Sequence, residues 1–181
     1  DRIDHVTIEV EAPDLCGRFA ARVLRGVSVG PSDMAIARRL TLLGMRPINS
    51  LVDASNYVML ELGQPNHPYD LAKVRGRGLR VRRARPGEAL VTLDDVERTF
   101  TGDDLLICDA EDRPIGIAGV MGGAETEIDE TTSDVLVEMA WFLPIAVAKT
   151  SRRLRLRSEA SARFEKGTDP EIIDLAQRRF A

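Results

Sequence analysis

Aromatic residues and cysteines are scarce in this chain of 181 residues, and none of its apolar runs is long. Phe, Trp and Tyr make up 4% of it, which argues against recognition of single-stranded nucleic acid by base stacking. The two cysteines, Cys16 and Cys108, lack metal-ligand spacing, so we expect two buried thiols in a reducing compartment. Neither a signal peptide nor a membrane span is predicted. These absences favour a cytoplasmic protein.

The net charge of the chain says little about its partners. It is −4, so no overall attraction to nucleic acid or to an anionic membrane is expected. Locally the charges are segregated, because arginines cluster over 152–157 and acidic pairs stand at 94–95 and 103–104. One basic face is compatible with this pattern. The chain opens at Asp1 without an initiator methionine, and we interpret it as part of a longer protein.

Apolar periodicity predicts an α+β fold, with a central β-sandwich or mixed antiparallel sheet flanked by helices. The apolar fraction of 44% allows a sizeable core in one domain. Strands are predicted at 5–12 and 18–30. A helix is predicted over 31–45, with Ser32 as N-cap and Gly44 as its stop.

The rest of the chain is predicted to run from helix to strands and back to helix. A second helix is expected over 53–62 and ends at Gly63. Turn signals then separate short strands at 79–84, 88–93, 97–101, 104–108, 114–119 and 134–139. In the helical last third, Pro144 and Pro170 stand where first-turn prolines belong, the latter after Asp169 as a cap.

A histidine lies between two prolines in the segment QPNHPY, at 64–69. His67 follows the predicted helix end closely, and Pro65 and Pro68 restrict the backbone on either side of it, so we predict a short turn. One interpretation is only an emphatic helix stop. The other is a histidine held for chemistry, because its ordinary pKa suits proton transfer near neutral pH. The segment alone favours the helix stop.

A glycine-rich segment, GIAGVMGGAET at 116–126, follows a predicted strand. Its spacing is not that of a dinucleotide-binding loop, and no Lys-Ser or Lys-Thr pair follows, as a phosphate loop requires. Glycines after a strand permit close backbone approach, so bare N–H groups can face a ligand. Tight packing of a turn explains the same residues, and the segment alone favours that interpretation.

One carboxylate interrupts the apolar strand VLVEMAWF at 135–142. By alternation one face carries Leu136, Glu138 and Ala140, and the other carries Val135, Val137 and Met139. Glu138 is either solvated on an edge or fixed in a pocket as an acceptor for a hydroxyl or amine. In a pocket it needs a partner, because burying an unpaired carboxylate costs on the order of several kcal/mol. The residues leave both possibilities open.

The segment 149–170 combines dense arginines with small residues. The arginines are interpreted either as a solvated helix face or as a surface that follows nucleic-acid phosphates. Ser158 is either a helix N-cap or, with Ala160, part of the wall of a pocket.

Four segments together resemble the β subunit of bacterial phenylalanyl-tRNA synthetase: PINSLVDASNYVMLELGQPNHPYDL, GIAGVMGGAETEI, VLVEMAWFLP and RRLRLRSEASARFEKGTDP. The similarity runs from about residue 13 to the end. It is a similarity to the editing domain, which hydrolyses tyrosine wrongly esterified to the phenylalanine tRNA. The resemblance implies one editing domain over 1–181, with intertwined lobes at about 1–75 and 76–168. A helix over 169–181 would lead to the next domain.

The resemblance also implies roles for single residues. The pocket histidine and two hydroxyl positions of the family, which we assign to catalysis, fall on His67, Ser55 and Ser158. The phenol-recognising glutamate, the backbone donor of the glycine loop and the small residue that leaves room for the ring fall on Glu138, Gly122 or Gly123, and Ala160. We assign tRNA binding to Arg152, Arg153, Arg155 and Arg157.

The chain departs from the family pattern at two places. The family usually has HAFD where this chain has HPYD, and Pro68 is expected to stiffen the turn. The family commonly has glycine at the position of Arg155. If this position needs a positive φ, arginine is a strained choice there.

The implied reaction is hydrolysis of an aminoacyl ester without a metal or other cofactor; ATP and magnesium are expected only for the full synthetase. Its partners would be phenylalanine tRNA bearing tyrosine and the synthetase α subunit in an α2β2 heterotetramer, with no membrane. His67 is favoured as a positioner of ester and water over an obligatory base, and a serine nucleophile is not expected. A noncatalytic scaffold that docks tRNA and a free-standing trans-editing protein remain alternatives.

Overall fold

The computed structural model describes residues 5–181. The strands are β1 (Thr7–Val10), β2 (Cys16–Arg25), β3 (Asn66–Asp70), β4 (Gly78–Arg83), β5 (Ala89–Val91), β6 (Glu97–Thr99), β7 (Leu105–Asp109), β8 (Pro114–Ile117), β9 (Met121–Gly122) and β10 (Asp134–Phe142). The α-helices are α1 (Met34–Leu42), α2 (Ser50–Leu62), α3 (Pro144–Arg153), α4 (Glu159–Phe164) and α5 (Ile173–Phe180). Short 3-10 turns lie at Leu71–Lys73, Arg75–Arg77, Ala124–Thr126 and Pro170–Ile172.

The strands form a larger sheet, a smaller sheet and a hairpin. In the larger sheet the order is β1-β4-β7-β8-β9; β1 and β4 are parallel, and the other neighbours are antiparallel. In the smaller sheet β10 lies between β2 and β3 and is antiparallel to both. The β5–β6 hairpin contacts the larger sheet through a bridge between Thr92 and Gly123. The predicted α+β fold with mixed sheets and helices is confirmed.

Strand β10 separates two apolar clusters, and its side chains alternate between them as predicted. Leu136 and Ala140 pack into the cluster that includes the larger sheet. Val135, Val137 and Met139 pack on the other side, in a cluster with residues of α2 and α5. Since Glu138 shares a face with Leu136, it points toward the larger sheet.

Both helices of the first half have side-chain caps. Asn49 caps α2 by accepting from the N–H groups of Leu51 and Val52 at 3.1 and 2.9 Å, and Gly63 ends the helix with a φ of 71°. The predicted end is therefore correct, although the helix begins earlier than predicted. For α1 the predicted cap is wrong: Asp33 caps the helix, and the Ser32 hydroxyl instead donates to Asp53. A carboxylate directly before the first turn replaces the serine as the acceptor for the free N–H groups.

The histidine segment is a strand and not the predicted turn. Asn66–Asp70 pairs with β10, and this strand lies at the edge of the smaller sheet. Pro68 has no N–H to donate, which an edge strand tolerates because it is paired on one side only. Other predictions of local structure hold: Pro144 begins α3, and Asp169 caps the turn that starts at Pro170, with a bond of 2.9 Å to the Glu171 N–H.

Three further features bear on the expectations from sequence. Cys16 and Cys108 are buried free thiols, and burial raises the pKa of each to about 12. The larger sheet and the smaller sheet each contain strands from both sides of residue 75. Over the described chain, no helix has the length and apolar character needed to cross a bilayer.

Helix α3 is followed, two residues after its last residue, by a left-handed residue that is not glycine. Arg155 has a φ of 52°; its N–H donates to the Arg152 carbonyl at 3.1 Å, and the Leu156 N–H donates to the Ser151 carbonyl at 2.9 Å. This pair of bonds is the Schellman motif, in which the left-handed position is usually glycine. The position does need a positive φ, so Arg155 is a strained choice there, as expected.

We expect Arg155→Gly to raise the free energy of unfolding by about 0.5–1 kcal/mol. The left-handed conformation costs a residue with a Cβ about 1–2 kcal/mol, and the greater freedom of glycine in the unfolded chain offsets part of that gain. Urea denaturation measures the change. As the control, Arg152→Gly inside α3 should lower stability by about 1 kcal/mol. A loss of stability in both variants would contradict the prediction.

Candidate functional site

The pairing of β3 with β10 places three polar side chains together. Glu138 lies directly opposite His67, while Tyr69 lies opposite Leu136 and so diagonal to Glu138. Directly opposed residues of an antiparallel pair project from the same face, as do residues two apart on one strand. His67, Tyr69 and Glu138 therefore share the face that points toward the larger sheet.

Glu138 is buried and bonded to a phenol. It is 5% exposed, and the Tyr69 hydroxyl donates to its Oε2 at 2.9 Å. Burial raises the pKa of Glu138 to about 7, and the bond from Tyr69 acts in the opposite direction by stabilising the carboxylate. The carboxyl therefore changes charge close to neutral pH, where an ordinary glutamate is fully ionised.

His67 contacts the same tyrosine and has a free ring nitrogen. Its ring lies edge-on to the Tyr69 ring, with centroids 4.4 Å apart. Within residues 5–181 its buried Nε2 has no hydrogen-bond partner. Burial lowers the pKa of His67 to about 4, so the imidazole is neutral at pH 7. A neutral imidazole with an unbonded nitrogen is suited to holding a ligand, while such a low pKa makes it a weak base.

The glycine segment forms the β8–β9 hairpin and approaches His67 closely. A Cβ at Gly122 would lie 2.3 Å from His67 Cε1 and 2.4 Å from Nε2, so only glycine fits there. The Gly123 N–H donates to the Ile115 carbonyl at 2.8 Å and is engaged inside the sheet. Of the two predicted backbone donors, Gly122 is therefore the one that lies against the histidine. Close backbone approach, and not a phosphate loop, explains this glycine.

Both predicted hydroxyls donate to backbone carbonyls. Ser158 caps α4 by accepting from the Ser161 N–H at 3.0 Å, and its hydroxyl donates to the Val120 carbonyl at 2.5 Å. The Ser55 hydroxyl donates to the Asn66 carbonyl at 3.3 Å. These bonds join α2 to β3 and α4 to the glycine hairpin. The interpretation of Ser158 as an N-cap is correct, and catalytic roles for the two serines stay predictions.

A cavity of about 230 Å³ brings most of the predicted residues together. A cavity of roughly 150 Å³ in another protein accommodates benzene, so this one has room for a single aromatic ring. Its lining includes Ser55, His67, Gly122, Glu138, Ser158 and Ala160. Asn56, Tyr69 and Leu93 are among the other lining residues, which the sequence did not single out as site residues. The one signal for Tyr69 was its spacing of two from His67, which becomes informative only once the segment is known to be a strand.

The four arginines assigned to tRNA binding are not equivalent. Arg153 forms an ion pair with the buried Asp104, and Arg157 pairs with Glu165 at 3.1 Å. The exposed side chains of Arg152 and Arg155 have no hydrogen-bond or ion-pair partner in the part of the chain that the structure describes. The positive charge available to a ligand therefore lies chiefly on these two residues. Within residues 5–181, no group of three or more His, Cys, Asp or Glu side chains could hold a metal ion.

We expect Gly122→Ala to lower the free energy of unfolding by about 1–3 kcal/mol, because the added methyl overlaps the His67 ring and must displace it. Chemical denaturation measures the loss, and the histidine ring signals in NMR spectra report the displacement. In the control Gly102→Ala, the new Cβ meets no atom within 4 Å, and we expect a change within about 0.5 kcal/mol. Equal effects in the two variants would disprove the close contact.

Two opposite pH effects on stability are predicted to cancel in the wild type. The raised pKa of Glu138, about 7, stabilises the fold below pH ~4.5 and loses this effect as pH rises toward 7. The lowered pKa of His67, about 4, stabilises the fold above pH ~6.5 and loses this effect as pH falls toward 4. Glu138→Gln should therefore gain stability from pH 4.5 to 6.5, relative to the wild type, and His67→Gln should lose it.

In each single variant the free energy of unfolding, relative to the wild type, is expected to change by about 2–3 kcal/mol between pH ~4.5 and ~6.5. Urea denaturation at a series of pH values measures both, and the double variant is the control, because it should again follow the wild type. Slopes of the same sign in the two single variants would contradict the assigned protonation states.

Residues 15–181 match the family model described as the B3/4 domain. The phenylalanine–tRNA ligase β subunit of Anaeromyxobacter dehalogenans is 52% identical over 178 residues, which are 98% of this chain and 22% of that protein. The same subunit of Symbiobacterium thermophilum is 52% identical over 176 residues, which are 97% of this chain and 20% of that protein. The chain thus spans about a fifth of the length of the curated relatives it matches.

The fold is also found in a solved structure. It is an N-terminal fragment of the phenylalanyl-tRNA synthetase β subunit from Pyrococcus horikoshii, with a TM-score of 0.56 and 13% identity. The match covers 83% of this chain and 49% of that one, and at this identity it supports the fold alone. The family model, by contrast, matches nearly the whole chain and includes every residue that lines the cavity. The chain belongs to the B3/4 domain family.

Proposed function

We propose that this chain is the editing domain of a phenylalanine–tRNA ligase β subunit and hydrolyses tyrosine wrongly attached to phenylalanine tRNA. One observation carries the proposal: a buried carboxyl, Glu138, already accepts a hydrogen bond from a phenol beside a cavity with room for one more ring. The similarity to ligase β subunits supports the substrate class.

Selection between tyrosine and phenylalanine requires a polar group inside an apolar pocket. A hydrophobic site rejects an analogue that only adds a hydroxyl by about 100-fold. A site built to bond the hydroxyl rejects the analogue without it by roughly 10⁴–10⁵. Phenylalanine would cover the Glu138 carboxyl without replacing the water that solvates it, whereas tyrosine would supply a donor. Ala160 in the cavity wall leaves space for the ring.

The remaining groups suit hydrolysis of the ester that joins the amino acid to the tRNA. A water oxygen attacks the carbonyl carbon, the carbon–oxygen bond to the ribose then breaks, and the ribose oxygen takes up the proton. We assign contact with the substrate to the Gly122 backbone, which lies against His67, and the position of the ester or water to the unbonded Nε2 of His67. Because the pKa of His67 is about 4, proton removal is assigned to the neighbouring ribose hydroxyl.

The partners follow from the same proposal. Arg152 and Arg155 carry charge that is free to meet tRNA phosphates, while Arg153 and Arg157 stabilise the fold first through their acidic partners. The ligase would act in the cytoplasm with its α subunit in an α2β2 heterotetramer. ATP and magnesium would serve the synthetic reaction elsewhere in that assembly. Ser55 and Ser158 would hold the cavity wall through their carbonyl bonds.

We expect the complete ligase to hydrolyse tyrosylated phenylalanine tRNA much faster than correctly charged tRNA, and Ala160→Trp to reduce that hydrolysis about 100-fold or more. The indole would fill the cavity and displace the ester from its position. Release of labelled amino acid measures both rates. The control is Ala35→Trp, an exposed position on α1 outside the cavity, which should leave hydrolysis unchanged.

Two outcomes would contradict the proposal. Normal hydrolysis by Ala160→Trp would place the reaction elsewhere in the assembly. Retained tRNA binding without hydrolysis in the wild type would support the noncatalytic scaffold instead.

A further inference from the structure

Tyr69 contacts both Glu138 and His67 in the cavity. Its hydroxyl donates to Glu138 Oε2, and its ring meets the His67 ring edge-on. The side chain is 1% exposed. Its hydroxyl lies against Gly116, where a Cβ would stand 3.5 Å away from it. These contacts hold the phenol where it bonds the carboxyl.

The bond from Tyr69 leaves one carboxyl oxygen for a ligand. In the described chain Tyr69 is the hydrogen-bond donor to Glu138, and it uses Oε2 alone. Glu138 lines the cavity, and because Tyr69 occupies Oε2, Oε1 is the oxygen left for a ligand hydroxyl. A carboxylate has acceptor sites for several donors, which means that an internal phenol and a ligand phenol can bind it together.

Among the titratable groups around the Glu138 carboxyl, Tyr69 is the one that donates a hydrogen bond to it and stabilises its charged form. Burial and the nearby Glu138 charge raise the pKa of Tyr69 well above its ordinary value, so the phenol remains a donor throughout the neutral range. Near the pair lie His67 on β3, Cys16 on β2 and Cys108 on β7, and Glu159 of α4 lines the same cavity. The histidine and both thiols are neutral at pH 7.

We propose that Tyr69 is a positioning residue for the selection of tyrosine over phenylalanine: its hydroxyl occupies Glu138 Oε2, orients the carboxylate and leaves Oε1 as the acceptor for the ligand phenol. This inference rests on the proposed function, because it concerns the same cavity. A protonated carboxyl would present a donor at Oε1, and a tyrosine hydroxyl would then lose its best acceptor. Tyr69 therefore stabilises the form of the site that recognises tyrosine.

Tyr69→Phe removes the hydroxyl and keeps the ring. In the complete ligase we expect its preference for L-tyrosinamide over L-phenylalaninamide to fall about tenfold at pH 7, as measured by calorimetry, since a hydrogen bond to a charged group is lost. The deficit should shrink at pH 8.5, where Glu138 becomes ionised in the variant as well. The infrared band of the protonated Glu138 carboxyl should persist to higher pH in the variant. A loss of packing alone would produce neither pH effect.

The matched control is Tyr57→Phe, which removes the chain's other phenol. The Tyr57 hydroxyl accepts from Arg39 at 2.6 Å and lies outside the cavity lining, so the preference should be unchanged. An unchanged preference in Tyr69→Phe, or tighter binding of tyrosinamide by it, would overturn the inference; tighter binding would mean that Tyr69 competes with the ligand. The amides lack the ester, so a wild type that hydrolyses no tyrosyl-tRNA would refute the proposed function without affecting this binding result.

Discussion

A carboxyl group buried on a central strand is the constraint on which the rest of the site depends. Glu138 lies on β10 between two other strands and is 5% exposed. A desolvated carboxylate must find a donor in the protein, and Tyr69 on the neighbouring strand provides it. This requirement fixes the register of β3 on β10, because a shift by one residue would turn both His67 and Tyr69 to the opposite face.

The second constraint is the distance between the two sheets. The larger sheet closes over the polar face of β3 and β10 through its shortest strand, β9, and Gly122 on that strand has no room for a methyl group. The Gly122 backbone therefore covers the His67 ring together with the Tyr69 side chain, and this burial lowers the pKa of His67. The same approach that makes the histidine a poor base places the Gly122 backbone beside it. Covering and positioning have one cause here.

Sequence reasoning succeeded where periodicity or a single residue type determines the conformation. The alternation along β10 placed Glu138 on the correct face, and Gly63 marked the end of α2 because a left-handed residue is needed there. It failed at 64–69, where two prolines indicated a turn although an edge strand also tolerates them. Sequence reasoning also did not predict the partners of side chains that are distant in the sequence. The pairing of Arg153 with Asp104 and of Tyr69 with Glu138 depends on which strands and helices meet, which local patterns do not encode.

The chain's own phenol explains why recognition of a second one is physically consistent. A cavity that bonds tyrosine must leave its hydrogen-bond acceptor without a protein donor when it is empty. A buried carboxylate without any donor would destabilise the fold by an amount on the order of several kcal/mol. With Tyr69 on Oε2, the empty cavity leaves only Oε1 to water, so the cost of keeping the site ready is shared between an internal donor and solvent. Under the proposed function, phenylalanine would displace that water without a replacement, whereas tyrosine would replace it. On that proposal, the internal phenol would let one carboxyl support the fold and still discriminate between two rings that differ by a hydroxyl.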